Sequence, residues 1–372
     1  MSEPQRQVMQ AGSMRDVVAL VPFECGFHPR HSVVVLSLRG PRRRIGQVTR
    51  LDLPAAGDPG GLADLLRHVA TFVAGDRGQG SVVIVYDDQA WDAQRPPHLG
   101  LVTTLLAELE RAGVPAHDAM YVSPARYWSY LCRRTGCCPS EGGSVAEAMS
   151  SPMAAALVLA GLAPLPSRED LAARVHPSRP PLVAAVEECA WRCLAAFAAE
   201  GGAAAVDAFG LVDQLLPAYR TGAALMTVDQ AGTLVASLQD VAVRDELLLR
   251  YCRVGLPGLR GLPGLPGLPG PPGLVEQLPE MQPPDLALEE AMERLLVDLS
   301  TQVEGPLAAA PLSLLAWHSW ARGEGALARI AVDRALAEDP TYRLAVLIAA
   351  VLDHGIAPEW VGAARRADEE AS

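Results

Sequence analysis

Residues Ala119–Val145, AMYVSPARYWSYLCRRTGCCPSEGGSV, mark the point where the chain changes its periodicity. Before them, short β-branched runs alternate with amphipathic stretches, the pattern of a mixed α/β sheet. After them, apolar residues return about every 3.6 positions, the repeat of packed helices. Within the stretch, Met120–Ser123 reads as a strand, and Arg126–Cys132 reads as its return around Pro124. Strand alternation puts Trp128 and Tyr130 on one face and Tyr127 on the other. Gly136, Pro139, Ser140, Gly142 and Gly143 then make a tight turn that ends the sheet and launches the helices.

Working back from this seam, Ser81–Tyr86 (SVVIVY) is too uniformly apolar for an edge strand, and Leu99–Ala112 is an amphipathic helix after it. A strand–helix–strand connection of that length implies parallel pairing through a right-handed crossover. Gly61–Ala74 has the apolar spacing of one helical face. Ser32–Leu38 (SVVVLSL) reads as a central strand, and the alternating Ile45–Leu53 as its antiparallel neighbour. Asp16–Phe23 is a short helix stopped by Gly26. The strand order in sequence is ββαβαββ, an α/β N-terminal domain followed by an all-α C-terminal domain.

Working forward, helices are expected near 145–161, 168–174, 180–200, 203–219, 228–238, 240–252, 285–303, 309–322, 325–337 and 341–353. Thr227 with Gln230 and Ser167 with Asp170 have capping-box spacing. Leu312–Pro340 resembles one tetratricopeptide hairpin, with no second copy; Trp317, Trp320 and Trp360 are read as packing. Gly recurs at every third position from Gly255 to Gly273, a collagen-type period too short for a triple helix and read as an inserted loop. The chain divides as 1–13, a disordered start; 14–144, the α/β domain; 145–253 and 284–362, two parts of a helical domain; 254–283, the Gly-Leu-Pro loop; and 363–372, a tail.

The formal charge of −12 is carried by the helical half: 15 Arg face 14 acids up to Ser144, and 16 Arg face 29 acids beyond it. An acidic surface repels phosphate backbones, so no nucleic acid is expected as partner. The Arg42–Arg44 run reads as a solvated hairpin loop. No stretch is long and apolar enough for a membrane span, and the location expected is cytoplasmic. The chain has no Lys and no Asn. That excludes a Walker-A lysine, a pyridoxal Schiff base, a kinase strand lysine and an N-glycosylation acceptor.

Three constellations remain. Asp52, Asp87 and Asp88 follow strands, with Ser123 and Arg126 after the next one and Trp128 nearby; strand carboxyl ends face the ligand crevice of a parallel sheet. They could serve a metal-assisted hydrolase, although the antiparallel pairing of the second strand suggests that Asp52 lies at the opposite edge from Asp87. Cys132, Cys137 and Cys138 could hold zinc only with distant help from Cys25, His28, His31 or His117, or could form a reactive thiol site beside Arg133 and Arg134; a structural turn is the plainer reading. Cys189 and Cys193, four apart on a helix, read as core. His28 and His31 before the first strand read as loop residues. The leading expectation is a non-catalytic binding or regulatory module with a protein partner and no cofactor.

GFHPRHSVVVLSL (Gly26–Leu38), VTRLDLP (Val48–Pro54), RYWSYLCRRTGCCPSEG (Arg126–Gly142) and LLAWHSWARGEGALARIAVDRALAEDP (Leu314–Pro340) together resemble a family of actinobacterial proteins, domain of unknown function 4192. The resemblance implies a cytoplasmic protein and carries over no catalytic residues.

Overall fold

The run of β-branched residues after His31 forms β1 (Ser32–Arg39), with Val33–Leu36 fully buried, in a computed structural model. The structure describes residues 13–40, 43–76, 78–132, 139–177, 179–199, 208–222, 226–252, 286–356 and 358. β1 pairs antiparallel with β2 (Arg44–Asp52) on one side and with β3 (Gly80–Tyr86) on the other. β3 runs parallel to β4 (Ala116–Val122), and β5 (Arg126–Ser129) and β6 (Gly143–Ser144) complete the order β2-β1-β3-β4-β5-β6.

Both neighbours of β1 oppose it, so β2 and β3 point the same way. The connection through α2 (Pro59–Asp76) therefore crosses over β1, and α3 (Leu99–Arg111) bridges the parallel pair β3 and β4. Both helices cover the face that carries Val33, Val35, Val83, Val85, Ala119 and Tyr121. The opposite face presents Val34, Leu36, Val82, Ile84, Met120 and Val122, all buried. In this unit α1 (Met14–Cys25) packs on α4 (Val145–Met149), α5 (Pro152–Leu159) and β2. The helix α1 is closed by a Ser13–Asp16 capping box and by left-handed Gly26.

Three expectations are corrected. Ser32 lies opposite both Asp52 and Tyr86, so the carboxyl ends of β2 and β3 share one edge, and Asp52 lies at the same edge as Asp87. β5 stops at Ser129 rather than Cys132, because the Ser129 hydroxyl accepts the N–H groups of Leu131 and Cys132 at 3.1 and 2.9 Å and closes a turn. The helix expected over 145–161 breaks at Ser150 and Ser151, where Pro152 disfavours helical backbone before it and Ser151 caps α5.

The described residues fall into two compact units, Met1–Arg168 and Glu169–Ser372, so α4 and α5 group with the sheet. The second unit is helical: α6 (Arg168–Ala173), α7 (Pro180–Ala199), α8 (Ala208–Thr221), α9 (Val228–Ser237), α10 (Val241–Tyr251), α11 (Leu286–Ser300), α12 (Ala309–Arg322), α13 (Gly325–Glu338) and α14 (Arg343–Asp353). Here α7 packs on α9, α11 on α8 and α12, and α13 on α12 and α14. Thr227 and Gln230 form the expected capping box, and Trp317 and Trp320 are buried against each other. The Gly-Leu-Pro tract, Arg42, Arg133, Arg134, Cys137, Cys138, Trp360, most of the start and the tail lie outside the described residues. Among the described residues no helix is long and apolar enough to cross a membrane.

Candidate functional site

At the shared edge, Asp87 follows β3 directly, and its side chain is only 7% exposed. Its backbone N–H donates to Val122 at 3.2 Å, which ties it to the end of β4. Two imidazoles converge on its carboxylate. His31, just before β1, places Nδ1 2.6 Å from Oδ1; His98, just before α3, places Nε2 2.7 Å from Oδ2.

Both histidines have left-handed backbones, at φ 43° and 56°. This conformation is uncommon outside glycine, costs energy, and clusters at functional sites. His98 makes no side-chain cap for α3; its ring turns to Asp87 instead.

Burial opposes ionisation of Asp87, but hydrogen bonds from His98, the Asp88 backbone and His31 outweigh it and hold the carboxyl below its ordinary range. An ionised carboxylate only accepts hydrogen bonds, so the N–H groups sit on His31 Nδ1 and His98 Nε2. The free nitrogen of neutral His31 is then Nε2, an acceptor on a side chain that is 63% exposed. It stands 3.8 Å from Asp88 Oδ2, beyond hydrogen-bond reach. The arrangement suits proton transfer: a buried carboxylate orients an imidazole whose basic nitrogen meets solvent.

The seam aromatics brace the loop between β3 and α3 that carries Asp87 and His98. Trp128 stacks on Trp91 with centroids 5.3 Å apart and planes within 5°. Tyr130 meets Trp91 edge-on and donates its hydroxyl to Pro97 at 2.7 Å. The Tyr121 hydroxyl reaches the carbonyls of Gln89 and Asp87 at 2.6 and 3.0 Å. Burial, with the Asp87 and Asp88 charges, pushes Tyr121 up to about 12, so it stays a donor. Trp128 in turn donates to Ser140 at 3.2 Å.

The other expected residues are spoken for. Asp52 is 80% exposed and pairs with Arg50 at 2.7 Å, with β1 between it and Asp87. Ser123 and Arg126 close the turn from β4 to β5: the Ser123 hydroxyl accepts the Arg126 N–H at 3.1 Å, and the Arg126 guanidinium donates to Gly142 at 3.1 Å. With both Asp87 oxygens held by imidazoles, the paired-carboxylate arrangement expected for a metal does not form. Among the described residues no group of three or more His, Cys, Asp or Glu is placed to hold a metal ion. Cys132 is partly exposed, and its backbone N–H turns to the Ser129 hydroxyl. Cys189 is buried, as expected of core, and Cys193 is partly exposed.

Sequence reasoning missed His98 and Trp91 and read His31 as a loop residue. The available signal was the pair of prolines before His98, in a loop running from a strand's carboxyl end to a helix.

Comparison with known proteins adds the family. A family model described as domain of unknown function (DUF4192) matches residues 15–253 and 285–359, and the gap falls on the Gly-Leu-Pro tract. No curated protein and no solved structure matches the chain. The match takes in His31, Asp87, His98 and the seam, and covers most of the chain, which therefore belongs to the family of the domain of unknown function (DUF4192).

Proposed function

We propose that the α/β unit is a small-ligand enzyme that works by proton transfer, with His31 as the proton acceptor, Asp87 as its orienting carboxylate and His98 as the second group on that carboxylate. The observation that carries this reading is the convergence of two left-handed histidines on one buried Asp at the carboxyl ends of parallel strands. Cys25, Cys189, Cys193 and Cys252 are free thiols, which suits a reducing, cytoplasmic setting.

The test joins a structural and a kinetic measurement. Long-range proton–nitrogen NMR should find His31 protonated at Nδ1, and this tautomer should be lost in Asp87→Asn. Across a panel of activated esters, amides and phosphate esters, any turnover found should fall about 100-fold or more in His31→Gln. A His31 protonated at Nε2, or turnover untouched by His31→Gln, overturns the reading.

A second reading is a binding or regulatory module with a protein partner. Val158, Leu159 and Leu162, 58%, 88% and 45% exposed, favour it. Stoichiometric capture of one partner by the wild-type chain, lost in Leu159→Ser, is the result it expects.

A further inference from the structure

A separate feature lies in the helical unit, on the face of α7 that packs against α9. Cys189 and Cys193 stand four residues apart on α7, about one turn, so their side chains leave the same face of the helix. Both sulfurs turn to α9, where an equally spaced pair meets them. Cys189 Sγ lies 3.7 Å from Asp229 Oδ1, and Cys193 Sγ lies 3.8 Å from Thr233 Oγ1. Between that pair α9 carries Gly232, and a Cβ there would stand 2.7 Å from Cys189 Sγ, so the helices come closest at this sulfur and hold it in place. Cys189 is 4% exposed and Cys193 is partly exposed, so solvent reaches the pair at Cys193. Both are free thiols, and they lie near enough to act on each other: burial first, and the Cys193 thiol next, push Cys189 above its ordinary range.

Spacing decides what such a pair can do. A disulfide needs Cβ atoms about 3.5–4.5 Å apart, whereas positions four apart on a helix hold theirs about 5–6 Å apart. An S–S bond within α7 would therefore require the helix to distort. Sulfurs leaning toward each other from that separation span about 4–5 Å, twice a metal–thiolate bond of roughly 2.3 Å. Among the described residues no group of three or more His, Cys, Asp or Glu is placed around an ion, so they form no tetrahedral zinc site here. A cation satisfied by two thiolates fits instead. Copper(I) is such an ion: its closed d shell accepts two-coordination, and soft sulfur ligands select it.

We propose that Cys189 and Cys193 bind one copper(I) ion beside α9, as a two-coordinate dithiolate. Each thiol releases its proton to solvent as its sulfur bonds the ion, and no electron is exchanged. Asp229 and Thr233 are positioning residues, each aligning one sulfur. All four belong to the helical unit, so the inference is independent of His31 and Asp87.

Anaerobic titration of the full chain with copper(I), in competition with a chromophoric chelator, tests it. A variant with Cys132→Ser, Cys137→Ser and Cys138→Ser, which removes the other cluster of cysteines in the sequence, should still hold one equivalent. X-ray absorption of that equivalent should show two sulfur neighbours, and equimolar zinc(II) should not displace it. Adding Cys193→Ser, a change at a partly exposed position, should weaken binding about 100-fold or more, because the second thiolate of a tethered pair acts at high effective concentration. The same single change in the wild-type chain should remove one equivalent, a comparison that does not depend on the triple variant folding. Retention of that equivalent by wild-type chain carrying Cys193→Ser overturns the proposal, as does a coordination shell of three or more sulfur or nitrogen atoms, or displacement by zinc(II).

Discussion

Asp87 is the residue on which the candidate site turns, and its charge has a thermodynamic signature. Its folded pKa lies below the ordinary carboxylate value, so the unfolded chain binds the proton more readily. The stabilisation is complete above the unfolded pKa of about 4 and is lost as pH falls through the folded value. Asp87→Asn should therefore cost about 1–3 kcal/mol at neutral pH, and its deficit relative to wild type should shrink below about pH 4. Urea denaturation at several pH values measures this, and a deficit that stays constant down to about pH 3 contradicts it. Asp87 was legible as a carboxylate at a strand's end, but its partners were not. A histidine in a polar loop gives no hint in sequence that its backbone is left-handed or that its ring points inward; that geometry exists only once β1, β3 and α3 are assembled.

At the scale of elements, apolar runs disclosed β1 and β3, because strands buried on both faces leave a continuous signature, and the alternation of Ile45–Leu53 disclosed the half-buried β2. The two residues of β6 leave none, and the turn just before them matters through what it holds. Gly142 has φ 79°, and a Cβ placed there would stand 2.5 Å from the Trp128 ring. Trp128 stacks on Trp91, in the loop that carries Asp87 and His98. Gly142→Ala combines a left-handed backbone with this clash, and we expect a loss of about 1–3 kcal/mol together with a changed near-ultraviolet circular dichroism signal from the tryptophan pair. An unchanged tryptophan signal with wild-type stability would show that the turn does not position the stack. The seam is thus a brace for the site. The presence of Trp128 and Gly142 in it reflects close packing between a ring and a glycine turn, a cause that composition alone cannot separate from chemistry.

Across the whole molecule, the absence of lysine leaves arginine to do all cationic work, including work for which only its planar fork is suited. The thiols of both units follow burial: Cys25 and Cys252 are pushed up to about 12, chiefly by desolvation, with Glu24 and Glu289 adding to it respectively. Titration with a thiol reagent near pH 8 should leave these two unreacted while Cys193, partly exposed, reacts; loss of Cys25 and Cys252 in the native chain as rapid as that of Cys193 refutes this. Arg334, on α13 and 6% exposed, makes the stronger case. One nitrogen of its guanidinium donates to the carbonyls of Val175 and Ser300, and the other to Val303, the last two bonds at 2.7 Å. A single buried side chain thereby satisfies the end of α11, the turn after it and the turn after α6. Burial pulls its pKa down, yet Glu338, 3.6 Å away, favours the charge. An ammonium at the end of a flexible stem cannot span three carbonyls in this fan, so Arg334→Lys retains the charge and strands acceptors. We expect a loss of about 2–5 kcal/mol in the helical unit, read by far-ultraviolet circular dichroism during urea denaturation, with Arg334→Met at least as severe. If Arg334→Lys stays within about 0.5 kcal/mol of wild type, charge rather than the forked hydrogen-bond geometry is what this position requires.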